Sequence, residues 1–132
     1  MKKWMINVLA AGVAIALLSG CASVQTSKNL NGQKIDATGS PIAHIYAENC
    51  GYYLLWIPLI TGQTEKGTVG KIGFGKDTVR VEDMVDVVTR ESSARGATKT
   101  LDLVSETGSW PMLPIPFLFK IKTVQVSGNA VK

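Results

Sequence analysis

The first twenty residues restrict where a fold can begin. Lys2 and Lys3 precede a run from Met5 to Leu18 that is apolar apart from Asn7. No polar face repeats through Val8, Leu9, Val13, Ile15 and Leu17, so the run does not read as an amphipathic helix lying on a core. It is also too short for a membrane span, because a hydrocarbon core about 30 Å thick takes roughly 20 apolar residues in a helix. A positive start, a short apolar middle and a small-residue end are the three parts of a secretory signal. The folded body must then form from the residues that follow, about 110 of them, enough for one modest core.

The signal closes on Leu18-Ser19-Gly20-Cys21, a leucine, two small residues and a cysteine. This tetrapeptide resembles the lipobox of bacterial lipoproteins, a resemblance that covers residues 1–21. It implies a diacylglyceryl group on the Cys21 sulfur, cleavage between Gly20 and Cys21, and Cys21 as the acylated first residue of the mature chain. Each buried methylene contributes about 0.8 kcal/mol, so one acyl chain holds marginally and two or three hold for practical purposes permanently. The lipid bilayer is then a partner through acylated Cys21. Ala22 stands where an aspartate would, in enterobacterial lipoproteins, favour retention at the inner membrane. The resemblance therefore places the protein on the outer membrane, facing the periplasm. Residues 21–38 are small, polar and without period; they read as the lipidated N-terminus and a flexible tether with a reach of roughly 20 to 25 Å. Residues 39–132 read as a single small domain.

Charge and cysteine usage narrow the chemistry. The formal charge of +4 includes Lys2 and Lys3; without them 12 basic residues face 10 acidic ones. The basic residues are scattered singly, so no nucleic-acid footprint is present. With Cys21 acylated, Cys50 is the odd thiol, either packed as a small hydrophobe or available to an intermolecular bridge or a redox partner. His44 is the only histidine and no second cysteine lies at ligand spacing, so no metal site is expected. Gly70-Lys71-Ile72-Gly73-Phe74-Gly75-Lys76-Asp77 mimics a phosphate loop, but Asp77 replaces the hydroxyl residue that would reach magnesium. No cofactor is called for.

The elements follow from hydrophobic period. Ile42 to Ala47 and Tyr52 to Ile57 read as two strands separated by a break at Glu48-Asn49-Cys50-Gly51. The glycine-rich stretch 61–77 reads as a loop or a short hairpin through Val69, Ile72 and Phe74. Val81, Met84, Val85 and Val88 recur at helical spacing, predicting a helix from about Val81 to Arg95 with Gly96 as its left-handed stop. Ala97 to Glu106 reads as a strand. Trp110 to Phe119 carries three prolines within six residues, which forbids a helix or an interior strand and predicts an extended apolar loop. In the last strand the apolar positions shift from Phe117, Phe119 and Ile121 to Val124 and Val126, which predicts a β-bulge near Lys122 and Thr123. The expected fold is α+β, a small antiparallel sheet of about four strands with one amphipathic helix on one face, in the order β-β-α-β-β. In outline it resembles small envelope lipoproteins with a compact α+β domain.

Function is read from two apolar, proline-bearing stretches, Leu54 to Ile60 and Trp110 to Phe119. If adjacent, they place Trp56, Pro58, Trp110, Pro114, Phe117 and Phe119 in a patch suited to an envelope protein partner or to lipid headgroups; the alternative is that both stretches simply cap the core. The main reading is a non-catalytic binding or structural module. A small-ligand or metal carrier would rest on His44, Cys50, Tyr52 and Tyr53. An envelope enzyme would need His44 as base, or Asp102 and Glu106 as a carboxylate pair, and the residue set for either is thin.

Overall fold

A computed structural model of the chain describes residue 7 and residues 22–30, 33–34, 38–64, 69–112 and 118–132. The rest of the leader and Cys21 lie outside these residues. The elements in chain order are β1 (Ala22–Ser27), β2 (Asn29–Leu30), β3 (Gln33–Lys34), β4 (Pro41–Leu54), β5 (Ile57–Gln63), β6 (Lys71–Phe74), α1 (Val81–Ala94), β7 (Lys99–Pro111) and β8 (Phe119–Val131). Six of the strands form one antiparallel sheet in the order β6-β5-β4-β8-β7, with β1 added beside β4, and β2 pairs β3 separately. The sheet thus has two strands more than the four expected, β1 and β6. With strands this long and α1 as the one helix element among the described residues, the architecture is mostly sheet.

The helix forms where the valine period places it. Met84, Val87 and Val88 are buried against Ile45 and Ala47 of β4 and Val124, Val126 and Ala130 of β8, with Val81 and Val85 packed beside them. Full burial of each such side chain contributes roughly 1.5–3 kcal/mol, which offsets the weak helix propensity of valine. Gly96, at φ +81°, ends the helix: its N–H donates to Ser93 O and the Ala97 N–H donates to Ser92 O, the paired bonds of a left-handed C-terminal cap. Arg95 reaches back to Glu91 at 2.7 Å.

Three expectations about the strands are corrected. First, β4 runs without a break through Glu48-Asn49-Cys50-Gly51, because β8 pairs with it from Pro41 to Leu54 on one side. On its other side β1 pairs with His44 to Asn49 and β5 with Gly51 to Leu54. Second, residues 22–27 are not part of a tether. Ala22 and Val24 lie on the helix-covered face, opposite Asn49 and Ala47, and Val24 packs on the core. Third, the register of β8 against β4 and β7 is unbroken at Lys122 and Thr123. The apolar positions of β8 change phase because the covered face changes: α1 covers the Val124–Ala130 half, and the Phe119–Ile121 half is apolar on the opposite face. The bulge lies instead in β7, between Leu101 and Val104, where Asp102 has φ +52°.

The stretch from Trp110 to Phe119 is likewise not all loop. Trp110 and Pro111 end β7 and Phe119 starts β8. Pro111 is accommodated because β7 is the edge strand. Residues 113–117 lie outside the described residues.

Candidate interaction face

Directly opposed residues of an antiparallel pair point to the same side. On the side of the sheet away from α1, the register makes one continuous row: Phe74 opposes Ile60, Ile60 opposes Tyr52, Tyr52 opposes Ile121 and Ile121 opposes Trp110. Five adjacent strands thus each contribute one large apolar or aromatic side chain. A second row follows toward the tip of the sheet, with Ile57 opposite Leu54 and Leu54 opposite Phe119. At the tip, Leu55 donates its N–H to Leu118 O at 2.7 Å, so the two apolar stretches do meet. Leu55 holds φ +57°, a conformation that favours glycine over a branched side chain. The turn it makes leaves Trp56 75 % exposed; Phe74 and Trp110 are 69 % and 68 % exposed.

The same face is polar in its other half. Asn129 donates Nδ2–H to Asp102 Oδ2 at 3.0 Å, which turns its Oδ1 toward His44 Nδ1 at 2.8 Å. A carboxylate accepts only, so this orientation makes His44 Nδ1 the donor to Asn129. Tyr46 donates to Glu48 at 3.3 Å, and Gln125 donates to the other oxygen of Glu48 at 3.4 Å. Burial, then the Glu48 charge, pushes the Tyr46 hydroxyl above the usual tyrosine range.

A buried knot on the opposite side of the sheet holds the apolar half in shape. Asn49 Nδ2 donates to Gly62 O at 3.1 Å and to Thr78 O at 2.9 Å. Thr78 Oγ1 donates to Gly62 O at 2.6 Å, and Thr61 Oγ1 to Lys76 O at 2.9 Å. Lys122 stands 4.3 Å from the centre of the Tyr53 ring, a cation–π distance. The segment that mimics a phosphate loop is structural here. Its Lys71 to Phe74 portion is β6, and its Asp77 accepts the Tyr53 hydroxyl.

Of the residues singled out from sequence, Trp56 and Trp110 are exposed. Pro58 is half-buried opposite Tyr53, and Phe119 is half-buried opposite Leu54. Pro114, Phe117 and Cys21 lie outside the described residues. Phe74, Ile60, Tyr52 and Ile121 belong to the face and carry no motif; only the alternation of each strand marks them. His44 and Cys50 are six positions apart along β4, about 20 Å, and Tyr53 points to the opposite face from Tyr52, so the carrier set is not brought together. Among the described residues no group of three histidine, cysteine, aspartate or glutamate side chains is placed to hold a metal ion. Asp102 bonds to Asn129 while Glu106 opposes Gln125, so these two carboxylates do not form a pair. A groove of about 490 Å³ runs between β1 and α1, lined in part by Val24, Thr26, Val87, Arg90 and Arg95. Its two arginines are engaged with Asp86 and Glu91. No protein family, curated protein or solved structure matches the chain.

Proposed function

We propose that the protein is a lipoprotein of the bacterial cell envelope, anchored through an acyl group on Cys21 at the periplasmic face of the outer membrane, and that it acts there as a non-catalytic binding or structural module. The observation that carries the binding role is the row Phe74-Ile60-Tyr52-Ile121-Trp110. Its ends, Phe74 and Trp110, are exposed and Ile60, Tyr52 and Ile121 between them are half-buried; a contiguous apolar surface of this kind on a soluble protein marks a contact site. The polar half of the same face does not share this character, so the contact is confined to one half.

Two measurements test this reading. Mass spectrometry of protein recovered from bacterial membranes is expected to find Cys21 as the acylated first residue, with residues 1–20 gone. A photoactivatable residue in place of Phe74 is expected to capture an envelope component, whereas one in place of Val104, on the polar half, is not. Equal yields at the two positions, or an unmodified Cys21, would overturn the reading.

A further inference from the structure

We infer that the apolar half of the open face is a second membrane contact, which lays the sheet down on the same bilayer that holds the anchor. This deepens the proposed function and rests on its acylated Cys21. The argument starts from direction. β1 is antiparallel to β4 with Ala22 opposite Asn49 and Ser27 opposite His44. Its N-terminal end therefore points along β4 toward Tyr52 and Leu54, the end that bears the apolar rows. The anchor residue is one peptide bond from Ala22, about 3.8 Å between Cα atoms, and β1 leaves no slack after it. The lipid thus enters the molecule at the oily end of the sheet.

Distance then selects the orientation. Asn49 to Leu54 is five positions of strand, about 17 Å. An upright sheet would drive its tip that far past the level of Ala22, deeper than the 5–10 Å at which amphipathic elements settle in the headgroup boundary. Leaning the sheet onto its open face removes the conflict, because Ala22 and the row from Phe74 to Trp110 can then share the boundary layer. The chemistry fits that layer. Two tryptophans and a phenylalanine are presented, as at membrane–water interfaces. The open-face carboxylates Glu48, Asp102 and Glu106 sit in the other half. The tether also keeps this surface at high effective concentration beside the bilayer, an advantage no free partner has.

Mature protein contains only Trp56 and Trp110, since Trp4 leaves with the leader, so its own fluorescence reports on the face. The full chain, matured and acylated in bacteria, is reconstituted in vesicles of phosphatidylethanolamine and phosphatidylglycerol brominated near the ester end of the acyl chains. Both tryptophans are expected to lose most of their emission to the bromines. A reporter variant combining Trp56→Phe, Trp110→Phe and Val104→Trp, whose single tryptophan lies on the polar half, is expected to keep its emission. Circular dichroism of that variant confirms that it is folded. Native tryptophans that are not quenched, or are quenched no more than the reporter, overturn the inference while leaving the anchored module intact. Shielding from aqueous acrylamide without bromine quenching, rising with protein density, would assign the face to a second copy and overturn it too. Mass spectrometry of the same sample separates the two levels: an unmodified Cys21 overturns the anchor and this inference together.

Discussion

Tyr53 donates its hydroxyl hydrogen to Asp77 Oδ1 at 2.5 Å from a ring that is fully buried. Burial first, and then the carboxylate bond, pushes this hydroxyl far above the usual tyrosine range. The bond ties β4 to the loop ahead of α1, and hydrogen bonds to charged partners contribute about 1.5–3 kcal/mol. Tyr53→Phe is therefore expected to lower stability by about 1.5 kcal/mol at neutral pH, read by urea denaturation. The pH dependence follows from linkage. The folded chain holds this proton more tightly than the unfolded chain, so the stabilisation is complete below the unfolded value of about 10 and is lost as pH rises beyond it. The gap between native protein and variant should be constant below pH ~9 and narrow above pH ~10. A gap that widens with alkali would show that Tyr53 is not the proton holder.

Gly51 is the second fixed point of that knot. A Cβ there would lie 2.8 Å from Thr61 Cγ2 and Val79 Cγ2 and 2.9 Å from Tyr53 Cε2, three side chains on three different segments. Gly51→Ala is expected to cost about 1–3 kcal/mol, the range of overpacked cores. Pairing it with Val79→Ala should recover part of the loss. An unchanged urea midpoint for the single variant would mean that the three neighbours part freely.

The helix was legible because its period survives in the folded state: one stripe of Val81, Met84, Val85 and Val88 meets one sheet, and Gly96 stops it with its own backbone freedom. The strands were harder to read for tertiary reasons. Glu48-Asn49-Cys50-Gly51 has the composition of a turn, yet the Asn49 amide serves Gly62 O and Thr78 O, and Gly51 is small because Thr61 and Val79 crowd it. A phase change in β8 looks the same whether the chain bulges or the covered face switches, and only the reach of α1 decides. In β1 the alternation of Ala22, Val24 and Thr26 with Ser23, Gln25 and Ser27 was present but faint, and its partner strand is remote in sequence. Trp56 and Trp110 stood out as apolar residues beside prolines. The row that joins Trp110 to Phe74 exists only across strands, so no local pattern contains it.

The docking of β1 has a direct test in Val24, which packs on the core opposite Ala47. A tether residue would accept a charge without consequence. Val24→Asp instead places a carboxylate against Val and Ala side chains, and is expected to destabilise the fold by about 2 kcal/mol or more. Thermal melts of the two proteins that coincide within error would return residues 22–27 to the status of a linker.

Large apolar residues that stabilise a fold and those held for an outside contact respond in opposite ways to truncation. Ile45 is fully buried in the core, and Ile45→Ala is expected to cost about 2–5 kcal/mol. Phe74 and Trp110 stand more than two-thirds exposed at opposite edges of the open face. Replacing both with serine should change stability by no more than about 0.5 kcal/mol each, as for surface positions that bear no packing. The same double variant should be less prone to self-association in the absence of membranes, because the ends of the apolar row are removed. Urea denaturation and sedimentation of native protein, Ile45→Ala and the double variant separate the two roles. A double variant destabilised as strongly as Ile45→Ala would make the row part of the structural core.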